Sequence, residues 1–479
     1  NDKWDWNARW TFNLGLRYDK NHVVDASGNL VSDDSKVSPR LGVIWDVTGN
    51  GATRVNASYA TYVTKIVDGN VGGAGNNAGS PAQFSFRYAG PVINPIDPNT
   101  KQIIGTPVGP QDALKIIFDW FDAQGGINMS PTSSLRTLTF FPGYSQRILS
   151  PITSPSVNEV TVGVSQQFGR SLFVRGDLVH RKWKDFYGLR LDTSTGTLAA
   201  PNGSVGDLAV LINDNSITRK YDAAQLQFGY HPGRWNLGGG YTFSKLKGND
   251  NTENDGTASS PNTPLATYYP EVLGYSQRVS DGYIPGDSTH RAKIWGGYDL
   301  PTFLGNFNFS VLQSADSGRA YSASANIDIN RSDILARLPA SYTTSQLSTQ
   351  QTYFFRQRGS FRTPSYFSTD LSINYALPIS RVEVFAQGQV LNVFNNSKVN
   401  NIVNGQLDNT VRTSLTAGSG LASFNPFTTT PVECPQSNTA AQCTALGANY
   451  QFGPLFGQGL SKDAYQTPRT YRVSFGLRF

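Results

Sequence analysis

Residues 470–479 read TYRVSFGLRF and alternate strictly between two kinds of side chain. Apolar residues occupy one set of alternate positions, which are Tyr471, Val473, Phe475, Leu477 and Phe479. Polar or small residues occupy the other set, which are Arg472, Ser474, Gly476 and Arg478. Because successive side chains of a β-strand point to opposite faces, the pattern predicts a strand with one fully apolar face.

The same alternation recurs along the whole chain. The other segments are 10–18, 41–47, 55–63, 160–168, 172–178, 224–230, 235–243, 292–300, 307–311, 367–375 and 382–390. Apolar residues at every second position indicate half-buried strands. We therefore predict an all-β fold of about twelve strands.

The connections between these segments alternate in length. Short turns built from turn-forming residues (TGNG, FGR, HPGR, LPTFLG and LPISR) separate every second pair of segments. The other connections are long, and they cover residues 19–37, 65–156, 191–220, 247–287, 316–365 and 395–467. Short periplasmic turns alternating with long extracellular loops are typical of an antiparallel transmembrane β-barrel, which places the loops 65–156, 191–220, 247–287, 316–365 and 395–467 outside the cell.

The composition agrees with a membrane barrel. Charged residues make up 15% of the chain and aromatic residues 12%. Aromatic residues near predicted strand ends suit the two interfaces of a membrane, and these are Tyr18, Trp45, Phe168, Tyr230, Trp235, Tyr298 and Phe479. The opposite face of the strands carries charges suited to a wet or plugged lumen, namely Arg17, Arg54, Glu159, Arg175, Asp177 and Glu383. No cluster of Lys and Arg indicates nucleic-acid binding, and we predict no nucleic-acid partner.

Several motifs together resemble one family. They are NLGLRYD (13–19), VSPRLGVIWD (37–46), VNEVTVGVSQQF (157–168), HRKWKDFY (180–187), GDSTHRAKIWGGYDLP (286–301), VLNVFNN (390–396) and PRTYRVSFGLRF (468–479). Their order and spacing resemble the TonB-dependent receptors, and within them the Oar-like branch. The resemblance implies a signal peptide, an N-terminal plug and a barrel of about 22 strands. We therefore expect residues 1–479 to be the C-terminal portion of such a barrel, without the plug and the N-terminal strands.

The resemblance also implies a function and partners. It predicts a transporter in the outer membrane of a Gram-negative bacterium that captures an extracellular ligand (a peptide or protein, a siderophore or a glycan) for energised transport. The TonB complex would act through the missing plug, and the barrel assembly machinery would recognise the terminal Phe479. The alternative is a self-contained smaller barrel that acts as a passive porin or a surface adhesin.

Two loop features are candidates for ligand binding. The sequence GYSQR occurs twice in different loops, and its side chains Tyr144, Gln146, Arg147, Tyr275, Gln277 and Arg278 suit recognition of a peptide, a sugar or a carboxylate. A chance repeat is the alternative interpretation. The segment DALKIIFDWFDAQGG (112–126) predicts a helix with Asp112 as N-cap and Gly125–Gly126 as its end. Leu114, Ile117, Phe118 and Phe121 would share one face, and Trp120 and Phe121 either contact ligand or, as we favour, pack on neighbouring loops.

The remaining chemistry is limited. Cys434 and Cys443, the only cysteines, predict a small loop disulfide and an oxidising compartment. The acidic segment NDNTENDG (249–256) matches no EF-hand, so we predict a solvated loop and no metal site. The four histidines lie in no hydrolase motif, and Asp287, Ser288 and His290 form the only local grouping of catalytic residue types. We predict no catalytic residues, no enzyme activity and no cofactor.

Overall fold

The computed structural model describes residues 2–24, 30–64, 83–130, 133–140, 146–191, 197–199, 205–207, 209–215, 217–249, 282–328, 350–379, 381–402, 406–414, 420–425 and 429–478. Most of these residues form antiparallel strands, which confirms the predicted all-β class.

One large sheet organises the chain. Its strands are β1 (Asp2–Asp5), β2 (Trp10–Val24), β3 (Leu30–Asp46), β4 (Thr53–Val63), β5 (Ser156–Phe168), β6 (Leu172–Lys184), β7 (Arg219–Tyr230), β8 (Trp235–Gly248), β9 (His290–Thr302), β10 (Gly305–Asp316), β11 (Tyr366–Ile379), β12 (Val382–Leu391) and β13 (Thr470–Arg478). Each strand pairs antiparallel with its neighbours in chain order, and the short strand Gly282–Tyr283 pairs with β8. Among the described residues no pairing joins β1 to β13, so the sheet is not closed into a barrel.

The twelve predicted strands correspond to β2–β13, and all twelve are confirmed. The prediction of a long connection over residues 19–37 was wrong. Strand β2 continues to Val24 and β3 begins at Leu30, and the two strands pair along their whole length. Residues 19–22 and 32–36 are all polar, so these strand ends show no alternation of apolar and polar residues from which a strand could be predicted. Strand β1 was also missed, since it has only four residues.

The two faces of the sheet differ in chemistry. Val55 pairs with Trp45 on one side and with Val164 on the other, which makes an apolar row across three strands. One residue along, Arg54 pairs with Asp46 and Ser165, so the adjacent row on the opposite face is polar. We call these two sides the apolar face and the polar face.

The apolar face is open to the surroundings. Phe475 and Val473 are 85% and 81% exposed, and large apolar residues of the other strands are exposed in the same way. At the short-turn end the aromatic rings pair: Trp10 stacks on Trp45 with centroids 5.5 Å apart, and Trp235 lies 4.6 Å from Tyr298. An extended apolar face with aromatic residues at its border is the surface that a membrane barrel presents to lipid.

The polar face holds its charges in ion pairs. Arg175 contacts Asp177 at 2.7 Å, and Arg181 on the same strand contacts Glu159 of β5. Further pairs on this face are Arg17–Asp19 at 2.7 Å, Arg291–Asp316 at 3.4 Å and Arg478–Glu383 at 2.9 Å. Pairing lowers the cost of confining these charges in a lumen.

Short strands build a layer from the long connections. They are Gln83–Phe86, Arg136–Phe140, Gln146–Arg147, Tyr187–Leu191, Thr197–Ala199, Val205–Asp207, Ala209–Asn213, Ala320–Tyr321, Ser324–Asp328, Gln350–Phe354, Phe361–Arg362, Val411–Thr413, Glu433–Cys434 and Tyr450–Phe452. Buried apolar clusters lie in this layer, and one of them joins Val31, Ile148, Ile152, Tyr187 and Leu211. The loops therefore have hydrophobic cores of their own.

Helix α1 (Pro110–Ala123) lies in the first long loop. The prediction that Asp112 caps it was wrong, because Gly109 is the N-cap and Pro110 begins the helix. Proline suits the first helical position because its φ is fixed near the helical value and its missing N–H would have no partner there. Since the helix begins at Pro110, Asp112 lies in its first turn, where a negative charge is favourable. The helix ends before Gly125 as predicted, since this glycine has a φ of 102°.

The covered side of α1 differs in part from the predicted face. Ile117 and Phe121 of that face are half-buried, but Leu114 and Phe118 are exposed. Ile116 and Trp120, outside the predicted face, are half-buried as well. The helix is apolar on two sides, so the spacing alone did not determine which side packs. The second helix, α2 (Ala440–Ala445), is short. Within the described ranges no helix is long and apolar enough to cross a membrane.

Candidate functional site

An aromatic surface with one arginine forms where the loops 316–365 and 395–467 meet. We define the loop platform as Tyr321, Arg356, Phe361, Phe452 and Phe456. Its rings contact one another: the Phe452 and Phe456 rings stack with centroids 4.3 Å apart, and Phe361 meets each of them edge-on at 5.4 and 5.1 Å. The Arg356 guanidinium lies 5.5 Å from the Phe361 centroid and 5.6 Å from the Phe452 centroid.

Short strands and a disulfide hold the platform in place. Strand Tyr450–Phe452 pairs with Val411–Thr413 on one side and with Glu433–Cys434 on the other. The predicted disulfide between Cys434 and Cys443 is present, with 5.4 Å between the two Cα atoms. Thr439 caps helix α2 through a capping box, which fixes the segment between the two cysteines. The platform is thus carried by covalently closed, hydrogen-bonded loops.

Glu433 organises the polar side of the platform. Its Oε2 contacts Arg356 Nη2 at 2.5 Å and accepts a hydrogen bond from the Tyr450 hydroxyl at 2.8 Å. Burial raises the pKa of the Tyr450 phenol, so the phenol stays protonated and continues to donate. Contacts with Tyr450 and Glu433 raise the pKa of the Arg356 guanidinium, which stays charged. The guanidinium is held at one edge and open at the other, since its side chain is 47% exposed.

This arrangement suits the binding of a flat or carboxylate-bearing group. Partly exposed aromatic rings supply apolar area at a small entropy cost, and an arginine fork donates hydrogen bonds in a fixed plane. Sequence reasoning missed the platform. The sequence signal that could have predicted the platform is the high aromatic content of two loop segments, YFFRQRGSF (353–361) and YQFGPLF (450–456). Aromatic residues concentrated in a loop usually pack against one another.

The GYSQR repeat is placed only in part. Gln146 and Arg147 form a short strand that pairs in parallel with residues 209–210. Tyr144, Tyr275, Gln277 and Arg278 lie outside the described residues. The role of this repeat in ligand binding stays a prediction.

The two candidate aromatic residues of α1 are packed against the preceding loop. Trp120 meets Tyr88 edge-on with ring centroids 4.8 Å apart, and Phe121 meets Phe86 at the same distance. The contacts agree with the packing role that the sequence favoured. A ligand contact at these residues stays a prediction.

Asp287, Ser288 and His290 do not act on one another. Asp287 accepts a hydrogen bond from the Leu246 amide and binds Arg362, both at 2.6 Å. Ser288 Oγ donates to the Ser317 carbonyl at 3.0 Å, whereas His290 Nδ1 lies 2.7 Å from the Tyr241 hydroxyl. The three side chains therefore make their hydrogen bonds to different residues, although the His290 backbone amide also donates to Ser317 Oγ, at 2.9 Å.

No group of three or more His, Cys, Asp and Glu residues is arranged to hold a metal ion in the part of the chain that the structure describes. Of the acidic segment 249–256, residues 250–256 lie outside that part.

Comparison with known proteins identifies the family. Residues 1–395 match the family described as TonB dependent receptor-like, beta-barrel. The chain belongs to this family. It is similar to the TonB-dependent transporter Oar of Myxococcus xanthus, at 24% identity over 416 residues, which cover 84% of this chain and 35% of Oar. The chain thus spans about a third of the length of this curated relative.

Two solved structures are similar to part of this chain. The siderophore receptor PiuA from Acinetobacter baumannii is similar with a TM-score of 0.40 and 13% identity, covering 82% of this chain and 38% of PiuA. The outer membrane transporter YddB from Escherichia coli is similar with a TM-score of 0.40 and 11% identity, covering 84% of this chain and 50% of YddB.

Membership of the family confirms the resemblance read from the motifs. Its members are TonB-dependent receptors and transporters of the outer membrane of Gram-negative bacteria, and the family is not a class of enzymes.

Proposed function

We propose that the protein is the barrel region of an outer-membrane receptor that captures an extracellular ligand for energised transport. The single observation that carries this proposal is the family match over residues 1–395. The exposed apolar face and the ion-paired polar face agree with it, because a transporting barrel needs a surface for lipid and a lumen for polar groups.

We further propose that the ligand is a peptide or protein segment and that it binds the loop platform. Arg356 and the rings of Phe361 and Phe452 can hold a carboxylate beside an apolar side chain, which a polypeptide supplies at many positions. Siderophores and glycans are the other ligands expected for such receptors, and the experiment below separates them.

We also propose that this chain is the C-terminal part of a larger receptor, with a plug that contacts TonB. The share of Oar that the chain covers supports this proposal. The intact mass of the native polypeptide in outer-membrane extracts tests it. A mass of at least about twice the 52.2 kDa of this chain is expected, and a mass near 52.2 kDa would favour the self-contained porin or adhesin. The barrel assembly machinery would recognise the terminal strand β13 during insertion.

The function is tested in the source bacterium with its full-length protein. Cells that lack the gene receive the wild-type gene, an Arg356→Ala variant or a Lys115→Ala control, whose lysine is exposed on α1. Uptake is measured for a fluorescently labelled protein digest, a ferric siderophore and a labelled oligosaccharide, with and without the proton gradient that drives TonB. We expect digest uptake to need the gene, the gradient and Arg356, with a loss of about 10-fold in the Arg356 variant because arginine anchors carry much of an interface.

Each other outcome has a defined meaning. Gene-dependent uptake of only the siderophore or the oligosaccharide would overturn the peptide assignment and keep the transporter. Gene-dependent uptake that persists without the gradient would support the passive pore. Uptake of all three probes that does not depend on the gene would refute the proposed function.

A further inference from the structure

A row of apolar residues and glycines crosses the polar face of the main sheet. Gly229 of β7 pairs with Phe173 of β6 on one side and with Gly238 of β8 on the other. Gly238 pairs with Trp295 of β9, and Trp295 pairs with Leu312 of β10. Because cross-strand partners lie on the same face of a sheet, these side chains form one continuous row.

The row stands among the ion pairs and continues to β12. Phe173 lies two residues from Arg175, whose ion pair is on the polar face, so the two side chains share that face. Leu312 pairs with Asp370 of β11, and Leu391 of β12 follows, because the pairing of β11 with β12 runs up to the residues beside these two. We define the apolar track as Phe173, Trp295, Leu312 and Leu391.

The apolar track rises from one end of the sheet to the other. Phe173 is the second residue of β6, next to the short turn that precedes this strand. Trp295 lies in the middle of β9, and Leu391 is the last residue of β12, at the long-loop end. The track therefore joins the short-turn end to the end that carries the loop platform, whose loop 395–467 follows β12.

The two aromatic rings of the track lie flat on glycines. A Cβ atom at Gly229 would lie 2.4 Å from Phe173 Cε1, and one at Gly238 would lie 2.6 Å from Trp295 Cε2. Each ring thus fills the space above its glycine partner. Phe173 and Trp295 are nevertheless 39% and 44% exposed, so each ring keeps a free surface on which another group can stack.

Two cavities lie along the track. One of about 620 Å³ is lined by Phe173, Gly229 and Trp295, and the other of about 590 Å³ is lined by Trp295, Leu312 and Leu391. Trp295 lines both, so the cavities adjoin at this ring. Together they contain all four residues of the track.

Polar side chains flank the track within both cavities. They are Gln227, Thr242, Arg291 and Lys293 in the first cavity and Asn236, Asn308, Ser310, Ser372 and Gln389 in the second. These groups can form hydrogen bonds with the N–H and C=O groups of an extended polypeptide, while its apolar side chains contact the track. Leu312 and Leu391 present no flat ring on which a sugar can stack, so the track favours a polypeptide over an oligosaccharide.

We propose that the apolar track binds an extended polypeptide segment of the ligand during its passage between the loop platform and the short-turn end. The proposal rests on the proposed function. Phe173 and Trp295 are three strands apart, about 14 Å, and an extended chain advances about 3.3 Å per residue, so a segment of about five residues contacts both rings. Flat rings recognise apolar area and not a particular sequence, which suits a chain that moves along them.

The test uses the full-length protein in the source bacterium, with the fluorescently labelled protein digest as the probe. Cells that lack the gene receive the wild-type gene, a double variant with Phe173→Ala and Trp295→Ala, or a Phe385→Ala control. Phe385 is a matched control because it also stands on the polar face above a partner glycine, Gly476, but lies outside the track. The digest bound at the cell surface without the proton gradient and the digest taken up with the gradient are measured separately.

We expect the double variant to take up the digest about 10-fold more slowly, because the loss of aromatic anchors weakens binding by at least this factor. Its surface binding should equal that of wild type, since the loop platform is unchanged, and the Phe385→Ala control should match wild type in both measurements. Uptake at the wild-type rate in the double variant would overturn the proposal. A loss of surface binding as large as the loss of uptake would also overturn it, because the rings would then act in the first capture of the ligand.

A crosslink in otherwise wild-type protein tests the track even where the double variant fails to fold. A photoreactive benzoylphenylalanine in place of Leu312 should capture digest peptides when the gradient is present. Capture of the receptor's own chain alone, or of the labelled oligosaccharide in place of the digest, would overturn the proposal. Uptake of every probe without the gene would instead refute the proposed function itself.

Discussion

Asp287 provides the sharpest test of how the loop layer is attached to the sheet. Its side chain is fully buried, and it joins three segments that are far apart in sequence. The carboxylate accepts the Leu246 amide of β8 at 2.6 Å and binds the Arg362 guanidinium at 2.6 Å. The Asp287 carbonyl also accepts a hydrogen bond from Arg362 Nη1 at 3.2 Å. We expect Asp287→Ala to loosen all three segments together.

The magnitude follows from the groups left without partners. Removing one member of a buried ion pair costs about 3–5 kcal/mol. Arg362 is 28% exposed and regains some water, which favours the low end, about 3 kcal/mol for local opening. Asp287→Asn keeps an oxygen that can accept from Leu246, but its NH2 group replaces the oxygen that binds Arg362. It therefore loses the charge and one acceptor, and we expect about 2 kcal/mol, between wild type and Asp287→Ala.

The assay is amide hydrogen exchange, read by mass spectrometry on the full-length protein in nanodiscs. A change of about 3 kcal/mol corresponds to roughly 100-fold faster exchange in peptides covering 244–248, 318–321 and 361–363. Asp287→Asn should accelerate exchange about 30-fold in the same peptides. Asp299→Ala is the matched control, because exposed Asp299 accepts one hydrogen bond, from Asn308 at 2.8 Å, at the other end of the sheet. Wild-type exchange at 244–248 in the Asp287→Ala variant would refute the anchoring role.

Three further predictions concern the platform and the sheet. Replacing Cys434 and Cys443 by Ser should destabilise their loop by about 3 kcal/mol, because the disulfide closes a short loop of sequence separation 9. Trypsin should then cleave faster after residue 412, and an unchanged cleavage rate would contradict the prediction. Arg356→Ala should lower the stability of the loop by only about 1 kcal/mol, since the ion pair with Glu433 is half-exposed. A melting temperature of the main sheet that falls by several degrees would contradict this prediction. Gly163→Ala should destabilise β5 by about 1–3 kcal/mol, because the added Cβ would lie 2.1 Å from Asp177 Oδ1. The double variant with Asp177→Ala lacks that oxygen, so a urea titration should show that much of the lost stability is restored.

The strands of the main sheet could be predicted because each one shows the alternation of apolar and polar residues within its own sequence. In β13, Val473 and Phe475 are apolar since that face meets lipid, and the residues between them are polar since the other face does not. Alternation is a local property, so it needs no knowledge of distant partners. The same rule failed at residues 19–24 and 30–37, because residues 19–22 and 32–36 are all polar and the valines and leucine beside them do not alternate with polar residues.

The candidate site could not be predicted, because it depends on contacts across long stretches of chain. Arg356 and Glu433 are 77 residues apart, and nothing in either local sequence indicates that they meet. The orientation of α1 failed for a similar reason. Leu114 and Trp120 lie on two apolar sides of the helix, and only the contact between Trp120 and Tyr88 determines which side is covered. The disulfide could be predicted, since two cysteines allow one pairing.

The distribution of burial separates the molecule into two parts that are stabilised by different means. Large residues of the apolar face of the main sheet, such as Val473 and Phe475, are exposed, whereas Ile152, Leu211 and Tyr353 of the long connections are buried. The sheet therefore gains its hydrophobic stabilisation from lipid, and the loop layer gains it from its own cores, its disulfide and anchors such as Asp287. It follows that loop variants should open locally while the sheet remains paired, and that detergent composition should change the stability of the sheet more than that of the loops. This separation allows the long loops to vary in sequence without disturbing the main sheet.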